Sequence, residues 1–328
     1  MAKVVILGNY PSNVIELFEY AKKEFGVSDV EVVIPKNDEE KFEALKNAVA
    51  VISGALSLEE INSAVNLKFI QVPFAGVDTY DVEALIERGI KIANVHSNAT
   101  AVAEFAMSLV LALAKNIVEG DRDLRIGYWH GWMSREPTIS LQGKTMTILG
   151  LGSIGREVAR FAKVFGMYVI GVKRSKSDEQ IPNVDEIYTT EDIGKAVEKA
   201  HFVVCALPLT KETKGIVNRK LFEKMVNKFF VNVGRGAVVN EEDLFVALKK
   251  GILKGAGIDT WWVYPPTPMQ TAYPSRYPFH GLKNIIMTPH AAGFTDNTPA
   301  LIWEDAIKNV LRFLKGLPIE NEVKETGY

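Results

Sequence analysis

The chain has 328 residues, more than one average domain, and 47% are hydrophobic against 24% charged, so a sizeable buried core is affordable. A formal net charge of −2 gives no electrostatic reason to expect nucleic acid or a membrane surface as partner. The start, Met1-Ala-Lys-Val-Val-Ile-Leu-Gly8, is too abrupt for a signal peptide, and the most apolar long stretch, residues 99–114, carries Glu104 and is too short to span a bilayer. A cytoplasmic protein is expected.

In chain order, apolar runs at residues 4–7, 30–34, 48–52, 69–72 and 90–93 read as buried strands, each near Gly, Pro, Asn or Ser. Amphipathic segments such as 13–25 and 81–88 lie between them. A long helix is predicted from about residue 98 to 126. The strand pattern then restarts at 145–149, 168–172, 202–206, 229–233, 255–258 and 285–288, with helices at 155–165, 191–199, 219–225 and 241–249. A helix over 299–314 is too amphipathic to be a free tail. Strand and helix in alternation predict an α/β protein of two doubly wound parallel-sheet domains. The one irregular stretch, 264–280, is rich in proline and aromatics. The lone cysteine, Cys205, falls in an apolar run and reads as plain core.

The most informative segment is Thr145-Met-Thr-Ile-Leu-Gly150-Leu-Gly152-Ser153-Ile154-Gly155. An apolar strand runs straight into G-x-G-x-x-G and then into an amphipathic helix. The glycines serve a tight turn, close approach of backbone to a pyrophosphate, and close helix–strand packing. The helix start supplies amide donors and a positive dipole end. A dinucleotide site is therefore predicted. The next strand ends in Lys173-Arg174-Ser175, where an NAD enzyme usually places a carboxylate to hold the ribose 2′-hydroxyl. A guanidinium, an ammonium and a hydroxyl suit a 2′-phosphate instead, which favours NADP, with NAD still open. The plainer alternative is that Lys173 and Arg174 are solvated loop charges.

Further motifs appear in order: Phe74-Ala75-Gly76-Val-Asp78, Ala101-Val-Ala-Glu104, Cys205-Ala-Leu207-Pro208-Leu-Thr-Lys-Glu-Thr213, Val231-Asn-Val233-Gly-Arg235-Gly236, Gly257-Ile-Asp259 and Thr288-Pro289-His290-Ala-Ala-Gly293. With them the chain resembles the D-2-hydroxyacid dehydrogenase family, which includes glyoxylate/hydroxypyruvate reductases, phosphoglycerate dehydrogenases and formate dehydrogenases. The resemblance implies a Rossmann cofactor domain, residues 99–294, inserted into a flavodoxin-like substrate domain, 1–98 plus 295–328, with the active site in the cleft. It implies a homodimer paired through the cofactor domains, a small carboxylate-bearing substrate and no metal. It puts substrate-carboxylate binding at Ala75 and Gly76, the adenine pocket at Leu207 and Pro208, and nicotinamide contacts at Thr100, Val233 and Asp259.

By the same resemblance, Arg235 binds the substrate carboxylate and polarises its carbonyl, and His290 is the acid/base. A guanidinium fork suits an α-keto acid, and an imidazole suits proton exchange near neutrality. The other histidines read as structural or surface groups: His96 and His280 in loops, His130 among Tyr128, Trp129 and Trp132, and His201 at a strand start. One position departs from the family. The glutamate expected to pair with the histidine is replaced by Tyr264 in Asp259-Thr-Trp261-Trp262-Val-Tyr264-Pro265. Formate dehydrogenases also lack that glutamate and bind formate through a Ser-Asn element, which Ser97-Asn98 matches in spacing. A formate-type hydride abstraction is thus an alternative, as is a cofactor-sensing binding protein that has lost its carboxylate.

Overall fold

The computed structural model describes residues 1–129, 137–175, 180–266 and 270–324; His130 and Trp132 lie outside them. The chain forms two compact units, Met1–Asn98 with Phe294–Tyr328, and Ala99–Gly293.

The first unit holds a five-stranded parallel sheet, β1 (Ala2–Ile6), β2 (Val30–Val33), β3 (Ala48–Ile52), β4 (Phe69–Gln71) and β5 (Lys91–Ala93), in the order β2-β1-β3-β4-β5. Alternation along β1 sends Val4 and Ile6 into one core with Phe18, Phe69 and Ile307, and Val5 into the other with Leu45, Val51 and Ile70. Both faces are buried, so the strands read as continuous apolar runs. The C-terminal helix Thr298–Leu314 completes this unit, burying Trp303, Ile307, Val310 and Leu311. Asn309 Nδ2 donates to Gln71 Oε1 (2.7 Å) and to the Glu320 carbonyl (2.9 Å). That satisfies a wholly buried glutamine that would otherwise cost about 1–3 kcal/mol.

The second unit holds a seven-stranded parallel sheet: β6 (Thr145–Leu149), β7 (Tyr168–Lys173), β8 (Glu186–Thr189), β9 (Phe202–Cys205), β10 (Phe229–Asn232), β11 (Gly255–Ile258) and β12 (Ile285–Met287). Their order, β12-β11-β10-β9-β6-β7-β8, reverses direction between β6 and β9. Doubly wound sheets bind ligands at such a switch point, outside the carboxyl ends of the strands. The fold class predicted from the alternation is the one observed. Cys205 is wholly buried, and burial pushes its thiol up to about 12, so it serves as core.

One sequence expectation needs correction, and three elements went unread. The single helix over 98–126 is two helices, Ala99–Ala114 and Ile117–Arg125, bent by 60° at a break where Asn116 takes a left-handed φ of 53°. No single helix among the described residues is long and apolar enough to cross a membrane; this bent pair passes only by length and composition. The edge strand Glu186–Thr189 had no apolar signal, because all four residues are half-buried. Helices Asp38–Lys46 and Leu58–Ser63 also went unrecognised in the sequence, although Asn37 and Ser57 cap them.

Candidate active site

The loop after β6 is built by glycine sterics. Gly150 has a φ of 97°, and a Cβ there would lie 3.0 Å from the Ala206 carbonyl oxygen. A Cβ on Gly155 would lie 1.9 Å from the Gly150 carbonyl oxygen, so the helix Ser153–Val164 can press on the loop only because residue 155 has no side chain. At Gly152, by contrast, a Cβ would meet nothing within 4 Å. Gly152 caps the helix without a side-chain bond, leaving the first-turn amides around Ser153 and Ile154 open toward that space. A tight turn, a close-packed helix and open space beside Gly152 at its positive end fit a bound pyrophosphate. Lys173 ends β7 half-buried, and Arg174 and Ser175 follow it, both exposed. The Arg174 charge is near enough to help hold the Glu212 carboxyl below its ordinary range, behind the larger effect of the Thr210 hydroxyl.

After β9, Leu207 is buried and its carbonyl oxygen lies 2.6 Å from where a Gly234 Cβ would sit; the Pro208 carbonyl accepts from the Thr213 hydroxyl (2.6 Å). The turn after β10 carries buried Val233 and half-buried Arg235. Asn232, wholly buried, staples this turn: its Nδ2 donates to the Arg235 carbonyl (3.1 Å) and its Oδ1 accepts from the Gly234 amide (3.1 Å). Arg235 Nη1 donates to the Gly234 carbonyl at 3.0 Å. Gly236 must remain glycine, because a Cβ there would fall 2.0 Å from the Trp261 carbonyl oxygen.

His290 follows β12 with a φ of 57°, a left-handed conformation that costs a non-glycine residue about 1–2 kcal/mol. Asp259, wholly buried at the end of β11, holds it there. Its Oδ1 accepts from the Thr288 hydroxyl (2.6 Å) and the Ala291 amide (3.0 Å), and its Oδ2 from the Ala292 amide (3.1 Å). The Trp261 indole adds a bond to the Thr288 carbonyl at 2.8 Å. Backbone strain at one residue, over-determined by its neighbours, is a mark of function. Loss of hydration pushes the His290 pKa below the ordinary histidine value; the Asp259 carboxylate opposes this and the Arg235 charge adds to it. The Tyr264 ring lies against the imidazole, centroids 5.4 Å apart and tilted by 52°. The Tyr264 hydroxyl accepts from the Trp261 amide at 3.1 Å, so this side chain also braces the turn.

The structure thus gathers Gly150 through Gly155, Lys173 to Ser175, Leu207, Pro208, Val233, Arg235, Asp259, Tyr264 and His290 at the carboxyl edge of one sheet. Thr100 starts the helix Ala99–Ala114 of the same unit, its hydroxyl donating to Glu157 at 3.3 Å. Ala75, Gly76 and Asn98 belong to the other unit. There Asn94 Nδ2 donates to the Ala75 carbonyl (2.6 Å) and the Val95 amide to the Phe74 carbonyl (3.3 Å), which fixes the loop after β4. Ser97 donates to Asp305 on the C-terminal helix. Sequence reasoning missed Asn232 and Thr288. A polar Asn inside the apolar run 229–233 was the available signal, since buried polar groups need partners.

A strand, a glycine turn and a helix at the switch point of a 3-2-1-4-5-6-7 parallel sheet define a dinucleotide-binding domain. A family model described as the D-isomer specific 2-hydroxyacid dehydrogenase NAD binding domain matches residues 107–292. A glyoxylate reductase of Thermococcus litoralis is 33% identical over 287 residues, 84% of this chain and 83% of that protein. A D-3-phosphoglycerate dehydrogenase of Methanocaldococcus jannaschii is 32% identical over 328 residues, 98% of this chain; the chain spans only 59% of that relative's length. A crystal structure of a Pyrococcus horikoshii protein superposes with a TM-score of 0.83 at 29% identity, covering 99% of this chain and 96% of that one. The chain belongs to the D-isomer specific 2-hydroxyacid dehydrogenase family.

Proposed function

We propose that the protein transfers a hydride between NADP(H) and a small 2-oxo or 2-hydroxy acid, with His290 as acid/base and Arg235 gripping the substrate. One observation carries this reading. Arg235 and His290 follow β10 and β12, the strands flanking β11, and both loops are braced from β11 and the turn after it, through Asp259 and Trp261. The nicotinamide, when bound, supplies the hydride or takes it. Arg235 holds the carboxylate and stabilises charge growing on the carbonyl oxygen, and His290 delivers the proton to that oxygen. Ala75, Gly76 and Asn98 are assigned to the substrate carboxylate, Thr100, Val233 and Asp259 to the nicotinamide, and Leu207 and Pro208 to the adenine. Lys173, Arg174 and Ser175 are assigned to a 2′-phosphate, which favours NADP over NAD. The name of the Thermococcus litoralis relative supports a small 2-oxo acid. A homodimer is also proposed, supported by the exposed apolar side chains Ile117, Leu124, Ile126, Tyr128 and Trp129 on the second unit.

The test is steady-state oxidation of NADPH and NADH with glyoxylate, hydroxypyruvate, pyruvate and bulkier keto acids. His290→Ala is expected to lower kcat/KM by roughly 10²–10⁴-fold. Arg235→Ala should lower it severely with cofactor binding intact; near-normal turnover in either variant rejects the assignment. Reduction needs imidazolium. Because the His290 pKa lies below the ordinary value, the protonated form fades early as pH rises, and reduction should be favoured in mildly acidic solution. Tyr264→Glu sets a negative charge beside the ring and should move the alkaline limb of the kcat/KM profile upward. If the limbs coincide, Tyr264 is only a wall.

A further inference from the structure

The five-stranded sheet has a switch point of its own. In the order β2-β1-β3-β4-β5, β2 lies outward of β1 on one side and β4 outward of β3 on the other, so the loops leaving β1 and β3 run apart. Doubly wound sheets bind ligands between such loops, at the carboxyl ends of the strands. A cavity of about 940 Å³ lies there, walled by Gly8 and Tyr10 after β1, Ser53 and Gly54 after β3, and Phe74 after β4. That volume is at the upper end of small-molecule sites.

Two aromatic rings stand open on its wall. Tyr10 and Phe74 are each 41% exposed, yet each is backed from behind. The Phe74 ring lies on Gly54, where a Cβ would fall 2.6 Å from its Cζ, so the ring takes the room of a side chain. Gly54 is itself held: its carbonyl accepts from the Thr79 hydroxyl (2.7 Å), and the Ser53 carbonyl from the Tyr80 hydroxyl (3.1 Å). The Tyr10 ring meets the buried Trp303 edge to face, centroids 6.4 Å apart. Charge adds little to the wall. Lys41 is paired with Asp38 (2.7 Å) and Glu60 (2.8 Å), which leaves the exposed Lys36 among the described lining residues. Open aromatic faces on fixed supports suit a flat apolar group.

We propose that this cavity takes the side chain of the substrate, and that the substrates are 2-oxo acids whose third carbon bears an aromatic ring. The inference rests on the reaction proposed above, with Ala75 and Gly76 on the carboxylate. Those two residues directly follow Phe74, and the Asn94 and Val95 bonds already described fix the loop that carries all three. A substrate anchored there by its carboxylate has its ring one methylene beyond the keto carbon, beside Phe74. Setting that ring against Phe74 and Tyr10 removes apolar surface from water and adds an aromatic contact. Phe74 and Tyr10 are thus specificity-determining residues. Glyoxylate, which has no side chain, leaves the cavity to water.

The experiment compares kcat/KM for phenylpyruvate, pyruvate and 2-oxoglutarate in the unaltered protein, Phe74→Leu, Tyr10→Ala and Gly54→Ala. Phenylpyruvate should exceed pyruvate roughly tenfold or more. Phe74→Leu and Tyr10→Ala should each cut that ratio roughly threefold or more. Gly54→Ala, which pushes the Phe74 ring into the cavity, should cut it too. A general loss of folding lowers both substrates together, so the ratio reads the pocket alone. A ratio near one in the unaltered protein overturns the proposal, as does a ratio that the Phe74 and Tyr10 changes leave in place. So does a preference for 2-oxoglutarate, whose second carboxylate suits Lys36. If no 2-oxo acid turns over, the reading of the reaction fails instead, and calorimetry on the full chain judges the pocket. D-phenyllactate should then bind more tightly than D-lactate, and Phe74→Leu should weaken it; equal affinity overturns the pocket as well.

Discussion

The two units share a plan, yet their first strand-to-helix turns are made differently. After β1, the turn runs through Gly8, with φ of 88° and open space around it, and the helix Val14–Phe25 begins only after Asn9-Tyr10-Pro11-Ser12-Asn13. After β6, the helix begins at Ser153, and Gly155 touches the carbonyl of Gly150. The first turn needs glycine for its backbone angle alone. The second needs it because no atom fits between helix and strand. A parallel sheet with a switch point is therefore a place where a ligand can bind, and the short, glycine-lined turn suits it to a phosphate.

Substitutions can break this contrast. Gly155→Ala should do most damage, because backbone must move to admit the methyl. About 3 kcal/mol of lost stability is expected for the second unit, measured by chemical denaturation. A loss under about 0.5 kcal/mol would show the contact to be loose. Arg174→Ala should leave stability alone and weaken NADPH roughly tenfold, about 1.4 kcal/mol, with NADH hardly changed. Equal binding of both cofactors to the unaltered protein, by calorimetry, would remove the proposed preference. Gly8→Ala should have the smallest effect, about 1 kcal/mol from the left-handed backbone, and none on cofactor affinity. A fall in cofactor affinity there would mean that the first turn also touches the ligand.

Much of this was legible in the amino acids because it is local. The runs Ala48–Ile52, Thr145–Leu149 and Gly255–Ile258 are strands over the residues where the apolar pattern placed them. Buried parallel strands and glycine spacing leave marks within a dozen residues. Glu186–Thr189 left none, since an edge strand need not be apolar, and the break at Asn116 depends on one backbone angle that helical periodicity does not encode. Asp259 was expected from the family resemblance to face the nicotinamide. Its carboxylate is engaged on the loop that holds His290, a partnership of residues 29 to 33 positions apart that only the folded sheet brings together. Arg235 and His290 were named by motif; Asn232 shapes the Arg235 turn through bonds two and three residues away, while Trp261 acts through tertiary contacts.

The interleaving of the units also sets an order of assembly. Every strand of the seven-stranded sheet lies in one uninterrupted stretch, Ala99–Gly293, whereas the five-stranded sheet must wait for the helix Thr298–Leu314 to cover one face. The buried Asn309–Gln71 bond joins residues 238 positions apart. As the chain leaves the ribosome, the first five strands emerge early but keep an apolar face uncovered until that helix is made. The inserted unit can close meanwhile, and in closing it replaces a long flexible loop with a folded bridge, lowering the entropy cost of bringing the two ends of the other unit together.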